Sequence, residues 1–332
     1  VRLLAWVFAL LLVLALAEAV LLVRSRRGVR LADSLSNLGC GLGQIITRPL
    51  YDAGFALAYL AIFERARIAT APTRSLGTWV VTLFVTDLLY YAYHRLAHGT
   101  RLMWAWHGVH HQSESYDLWV SFRLSWLGPP AEKLFYLPLA FAGLPVEAVL
   151  AATAYSSFYQ FFVHTRAVPK LGPLDWVLNT PSNHRVHHGV EPKYIDKNFA
   201  GMFVLWDRLF GTYQPEEEEP TYGVPRAFES NNPLVANVAY FVEWARGVER
   251  LLPVPTRASR PPPPRPVLFC AAALLAVLSG VTLGCFAWSR EGDLVVVAGV
   301  AVVVLVGVSS VGFLLDSARP VAGIRGDGLR PR

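Results

Sequence analysis

Long apolar runs alternate with shorter polar stretches along this chain, and the runs set its architecture. Residues Leu3 to Val23 are almost all apolar, enough for one bilayer crossing of about 20 residues. The run is too long for a signal-peptide core, its positive charges follow it, and no small-residue cleavage site precedes them. The sequence opens at Val1 rather than at a methionine, so the true start is expected upstream. Gly41 to Phe63 is also long enough to span, but Arg48, Pro49 and Asp52 interrupt it. Arg48 and Asp52 stand at i, i+4 and can pair, which lowers the cost of each charge in lipid. A cleaner helix is predicted from Thr78 towards His98. Ala131 to Thr165 is apolar but broken at Gly143, Leu144 and Pro145, which predicts a hairpin of two short helices. Val267 to Trp288 and Leu294 to Leu315 complete the set. The expected fold is all-α and polytopic, with about seven transmembrane or re-entrant helices.

Composition supports the membrane reading. The chain is 54% hydrophobic with mean hydropathy +0.37, above an ordinary soluble domain. Its net charge of +6 comes from 26 arginines and 4 lysines scattered beside the apolar runs. No basic stripe forms, so nucleic acid is not expected as a partner. The arginines instead set orientation, because positive loops stay in the cytoplasm. Arg24, Arg26, Arg27 and Arg30 then lie inside, with the amino terminus outside. The end of the His94 helix, His164, the polar segment Arg166 to Arg265 and the tail with Arg319, Arg325, Arg330 and Arg332 fall inside too. Arg65, Arg67 and Arg74 conflict with this assignment. Cys40, Cys270 and Cys285 read as small buried hydrophobes. The expected division is 1–30 (first span and basic loop), 31–226 (histidine-rich domain), 227–265 (cytoplasmic linker, stiffened by Pro261 to Pro264) and 266–332 (carboxyl-terminal hairpin and basic tail). Glu216 to Glu219 reads as a solvated loop.

The chemistry lies in the histidines. His94 and His98 sit at i, i+4; His107, His110 and His111 sit at i, i+3, i+4; His184, His187 and His188 repeat that second spacing. On a helix such positions share one face. His164 ends an apolar run, and no histidine of the nine lies elsewhere. Taken alone, His164 reads first as an ordinary core histidine. Eight clustered imidazoles suggest two metal ions with about four nitrogens each. Zinc hydrolases use fewer ligands and structural zinc prefers cysteine, so a pair of redox irons open to O2 matches better. Asp87, on the helix stripe of Tyr91, His94 and His98, is a candidate to hold a ligand imidazole through a hydrogen bond. A capping or helix-pairing role is its ordinary alternative.

The three boxes, H-x-x-x-H and twice H-x-x-H-H, resemble the fatty acid hydroxylase and sterol desaturase superfamily of membrane di-iron enzymes. The flanks look most like its alkylglycerol monooxygenase branch: RLADSLSNL from Arg30, FVTDLLYYAYHRLAH from Phe84, WAWHGVHHQSESYDL from Trp104, LGPLDWVLNTPSNHRVHHG from Leu171 and IDKNFAGMFVLWDRLFGTY from Ile195. The resemblance covers roughly Arg30 to Arg226. It implies an integral-membrane, O2-dependent oxygenase with its histidine-rich di-iron cap on the cytoplasmic face. The implied ligands are His94, His98, His107, His110, His111, His184, His187 and His188, with His164 a ninth. In the ether-cleaving branch, tetrahydrobiopterin supplies electrons and the carbon beside the ether oxygen is hydroxylated. That branch usually has Glu directly after the second histidine of the first box, where this chain has Gly99. Either Glu114 supplies a carboxylate or the chemistry differs. No nucleotide fingerprint, haem motif or fused electron carrier is visible, so the donor is a small molecule or a separate protein. Three readings stand: alkyl-ether lipid monooxygenase, sterol or fatty-acyl desaturase or hydroxylase on the same site, and a metal-binding membrane protein without oxygen chemistry. In the first, the alkyl chain is expected near Tyr91 and the Leu134 to Phe141 segment.

Overall fold

A computed structural model describes residues 2–26, 28–224, 228–247, 262–288 and 294–318. Arg27, Arg226, residues 248–261 and the tail arginines Arg319, Arg325, Arg330 and Arg332 lie outside those residues, whereas the first half of the expected linker is described and holds a helix over Pro233–Ala245. The helices are α1 (Arg2–Arg24), α2 (Leu31–Ala66), α3 (Leu76–Gly99), α4 (Arg101–His107), α5 (Gly128–Leu134), α6 (Pro138–Phe141), α7 (Val146–Val163), α8 (Pro181–His187), α9 (Leu205–Leu209), α10 (Pro233–Ala245), α11 (Arg265–Trp288) and α12 (Leu294–Ser317). Among the described residues the only extended pairings are two isolated bridges, Leu178 with Phe203 and Gly189 with Tyr222.

Among the described residues, five stretches are long and apolar enough to cross a membrane: Ala5–Arg24, Leu31–Ala66, Leu76–Gly99, Arg265–Ala287 and Val295–Ser317. The protein is thus all-helical with the character of a multi-pass membrane protein. The expected hairpin behaves differently in its two arms. The first breaks into α5 and the four-residue α6, with Pro138 opening the latter because it cannot donate an amide to a continuing helix. The second is the single 18-residue helix α7. Between them Gly143 has φ +82, and a Cβ there would sit 1.9 Å from Ala69 O. Glycine lets this turn lie against the 68–71 loop, where Ala71 N donates to Gly143 O at 3.0 Å.

α2 is one continuous helix of 36 residues despite Pro49. Its part from Ser34 to Gln44 is buried under α11, α12 and the 3-10 turn Leu118–Phe122. The core there joins Leu38, Leu42 and Ile46 to Phe122, Trp126, Leu275 and Val308. The Arg48–Asp52 pair forms at 3.4 Å, and Lys133 of α5 joins Asp52 at 2.5 Å. Three charges thus share one apolar neighbourhood, which is how lipid-level ions are tolerated.

The acidic run is not uniformly solvated. Glu217 and Glu218 are exposed and pair with Lys193, but Glu216 is buried. Arg185 of α8 grips it with two bonds, Nε to Oε1 at 2.6 Å and Nη2 to Oε2 at 2.8 Å, and Ser182 Oγ donates to Oε2 at 2.7 Å. The same guanidinium donates to Thr165 O and Val168 O. Four identical residues in a row carry no signal for which one turns inward; the arginine decides it. Glu216→Ala leaves Arg185 buried without its counter-ion, and we expect a loss of about 3–5 kcal/mol. Unfolding followed in detergent checks this, with Glu217→Ala leaving the midpoint unchanged.

Candidate metal centre

Five segments aim imidazoles at one place. α3 supplies His94 and His98, and the end of α4 supplies His107. The 3-10 turn Gly108–Gln112 supplies His110 and His111. His164 caps the end of α7, α8 carries His184 and His187, and His188 caps α8. The expected spacing works through short helices rather than long ones: the 107–111 box is split between an α and a 3-10 turn. All nine rings are buried. They fall into two groups, His94, His98, His107, His111 and His187 in one, His110, His164, His184 and His188 in the other. Within each group the ligand nitrogens lie within 4.8 Å of one another.

Hydrogen bonds on the far side of the rings decide what faces inward. His94 Nδ1 donates to Phe199 O at 2.8 Å, His110 Nδ1 to Arg123 O at 3.2 Å, His164 Nδ1 to Gln160 O at 2.7 Å and His187 Nδ1 to Lys197 O at 2.9 Å. A carbonyl only accepts, so each Nδ1 keeps the proton and each neutral ring turns a bare Nε2 inward. His110 Nε2 and His164 Nε2 are then two lone pairs 2.9 Å apart. They repel unless a cation lies with them. Neighbouring Nε2 distances are 2.9 Å for His94–His107, 3.1 Å for His107–His111 and His111–His187, and 3.0 Å for His164–His184. Nitrogens about 2.1 Å from one ion lie about 3.0 Å apart at right angles and about 3.4 Å apart at tetrahedral angles. The observed spacings match right angles. His188 Nε2 is buried with no hydrogen-bond partner. The donor set therefore fits two metal ions.

Burial keeps these imidazoles neutral. It pushes His110 down to about 4, against a smaller upward pull from its bond to Arg123 O. His111, His164, His184, His187 and His188 are held well below the ordinary histidine value by burial, and neighbouring imidazoles add to this.

Asp87 does not face an imidazole. Its Oδ1 accepts from Met202 N at 2.8 Å, and its Oδ2 from Phe203 N at 3.1 Å and Trp206 Nε1 at 2.9 Å. Gly201 permits this approach, since a Cβ there would lie 2.7 Å from Asp87 Oδ1. Asp207 completes the clamp, accepting from Phe199 N, Ala200 N and Thr212 Oγ1. The two aspartates thus fix the strip whose Phe199 carbonyl orients His94. The carboxylate that meets a ligand ring is Asp196, with Oδ1 3.3 Å from His98 Nδ1. Glu114 is paired with Arg30 and stands in neither histidine group. The position of Gly99 opens on free space.

Arg123 had no motif to mark it, yet it is among the largest fully buried side chains. It donates to Val109 O, Ser36 Oγ, Asn37 Oδ1 and Gln112 Oε1, tying the second box to α2. Glu18, a lone carboxylate in the first apolar run, accepts from Leu118 N at 2.6 Å and from Thr165 Oγ1 beside His164. A single acid inside an apolar run is the signal that could have found it.

His110→Ala and His187→Ala each remove an imidazole from a different group, and each should lower the metal content measured on purified protein. Asp87→Asn should loosen metal binding by about 10-fold through the shifted strip. Acid dependence follows from burial. The folded state holds fewer protons than the unfolded chain between about 6.5 and the depressed value of His110, so stability is full above that window and is lost as pH falls towards about 4. Thermal unfolding of metal-free protein from pH 7 down to pH 4 reads this directly, and metal release should follow the same direction.

Residues 79–212, which include every histidine, match the model of the family described as fatty acid hydroxylase. The alkylglycerol monooxygenase of Xenopus tropicalis is 36% identical over 214 residues, 64% of this chain and 48% of that protein. The alkylglycerol monooxygenase of Homo sapiens is 37% identical over 205 residues, 62% of this chain and 46% of that protein. An ornithine lipid hydroxylase of Rhizobium tropici is 31% identical over 137 residues, 40% of this chain and 41% of that protein. No solved structure matches. The chain spans about half the length of the curated relatives it matches. Its resemblance to the fatty acid hydroxylases, and within them to the alkylglycerol monooxygenases, is therefore carried by the same stretch that gathers the nine histidines.

Proposed function

We propose that this chain is a membrane di-iron oxygenase that hydroxylates a lipid C–H bond, with an alkylglycerol ether as substrate. One observation carries the reading beyond the likeness to relatives. A cavity of about 500 Å³ runs among α1, α2, α3, α5 and α7 and reaches His107, His110 and His164. Phe8, Leu11, Ile45, Phe122 and Phe161 line its apolar part. Tyr90 and Tyr93 line it rather than Tyr91, whose hydroxyl is engaged by Thr212, and the Leu134 to Phe141 segment stands apart from the lining. An alkyl chain in this cavity ends at the histidines with its polar head towards them.

The nine histidines would hold two irons, which when bound supply the redox chemistry that opens O2 to attack on a C–H bond. The Nδ1 hydrogen bonds keep each Nε2 bare and aimed. The cavity walls exclude water and hold the target carbon, and a misplacement of about 1 Å can cost roughly 100-fold in rate. One oxygen atom enters the substrate; the other leaves as water with two protons and two electrons from tetrahydrobiopterin or a separate electron-transfer protein. Hydroxylation beside an ether oxygen gives a hemiacetal, which collapses to an aldehyde and a glycerol.

Gly99 and the Glu114–Arg30 pair favour a second reading, in which the same site hydroxylates or desaturates an acyl or sterol lipid. The relative named for ornithine lipid hydroxylation is consistent with it. In both, a cytoplasmic histidine face is the sidedness that the arginine pattern favours for the five candidate crossings. The broken hairpin returns to the side it left, so five crossings and about seven give the same sidedness.

Iron-loaded protein supplied with O2, reduced pterin and alkylglycerol should release fatty aldehyde. No aldehyde, together with oxidation of a sterol or acyl lipid by another donor, replaces the first reading with the second. Glu114→Gln that retains metal but loses turnover supports Glu114 as the carboxylate in place of Gly99; unchanged turnover removes it. A fusion at Gly189 to a reporter active only outside the membrane should be silent.

A further inference from the structure

The strip after the last histidine box runs down α3 and back. Phe199 meets His94 through its carbonyl, Met202 and Phe203 meet Asp87, and the Phe203 ring stacks on Phe84 at 4.5 Å. Further on, Phe210 stacks on Tyr91 at 5.3 Å, and Thr212 Oγ1 bonds the Tyr91 hydroxyl. From His94 to Phe84 is about 15 Å along a helix rising 1.5 Å per residue. The descent points away from the histidine face and into the span of α3, along the side where Val80, Val81 and Phe84 are exposed. The segment 171–178 runs beside it, since Val204 N donates to Val177 O at 3.1 Å and Leu178 bridges Phe203.

These two segments expose large apolar side chains. Trp176 is 68% exposed, Leu209 65%, Val177 57%, Leu174 51%, Leu205 49% and Phe210 47%. They belong to the stretch that the arginine pattern assigns to the aqueous cytoplasm. Non-helical backbone at membrane depth is tolerated only where its polar groups find partners in protein. Asp87 supplies such partners: it takes the Met202 and Phe203 amides and the Trp206 indole at the deepest point of the strip. A buried carboxylate in a membrane helix thereby has a use that needs no imidazole.

We propose that segments 171–178 and 203–210 form a re-entrant wedge immersed in the lipid bilayer, continuous with the exposed face of α3. The occupant of the patch is lipid acyl chain, because the patch adjoins that face at Phe84 and descends in the same direction. The inference rests on the membrane reading and is independent of which metal or substrate the centre takes.

The test uses the full chain in phospholipid nanodiscs, with Cys270→Ser and Cys285→Ser and a nitroxide label at Val177→Cys or Leu209→Cys. Lys193→Cys serves as the aqueous reference. Labels in the wedge should collide with O2 in preference to a water-soluble nickel chelate, by a ratio several-fold above that at Lys193. A ratio equal to that at Lys193 places the wedge in water and overturns the proposal. Exclusion of both reagents means that protein covers the patch, which overturns it too. Should the labelled variants fail to fold, brominated lipid gives a second measurement. It should quench part of the tryptophan emission of the unmodified chain, including that of Trp6 and Trp79 on the spans, and Trp176→Phe should lower the quenched amount by the share of Trp176. Equal quenching with and without Trp176 sinks the wedge.

Discussion

Bare imidazole nitrogens crowded together in a dry interior are the constraint on which this structure turns. His110 and His164 alone show the difficulty: each gives its proton outward to a carbonyl, and each turns a lone pair towards the other. Burial forbids the easy remedy of protonation. Such an arrangement persists only if the surrounding chain holds every ring from behind and something positive is shared in front. The carbonyls of Arg123, Gln160, Lys197 and Phe199 form the rear wall. Three of them are anchored in turn, by the α2 network at Arg123, by helix α7 at Gln160 and by the Asp87–Asp207 clamp near Phe199.

Much of this was legible in the sequence, and the reason is chemical economy. Nine histidines confined to three boxes and one helix end have no ordinary structural explanation, and residue type with spacing points to the residues that the fold gathers into the candidate centre. The apolar runs marked the long helices for the same reason, since crossing a bilayer needs about 20 apolar residues in a row. What stayed hidden depends on tertiary partners. Asp87 stands out in the sequence as a carboxylate on an apolar helix, but nothing local distinguishes a partner for an imidazole from one for the amides of Met202 and Phe203. Glu216 looks like its three neighbours until Arg185 is seen. Arg123 has no periodicity at all. The hairpin was misjudged at Pro138, where a run of apolar side chains conceals a backbone that cannot continue one helix.

Membrane depth also escapes a reading by composition. Residues 166–265 read as polar when taken together, and the apolar runs LGPLDWVL from Leu171 and FVLWDRLF from Phe203 are too short for any crossing. They become a surface only when Leu178 meets Phe203 and the two segments lie together against α3. Average polarity describes a segment that stays on one side of the interface; it fails for one that descends, turns and climbs within fourteen or so residues and leaves its polar backbone in the care of a neighbouring helix.

Glu18 gives the modularity of the protein a different aspect. The matched stretch begins at residue 79, yet the corner beside His164 leans on a carboxylate from the first membrane helix, and the second box leans through Arg123 on Ser36 and Asn37. The histidine-bearing portion is therefore not a cassette that could be cut out and grafted onto another anchor. Its amino-terminal helices are part of the scaffold that shapes the centre, so a change at Glu18, Ser36 or Asn37 reaches the histidines without altering one of them.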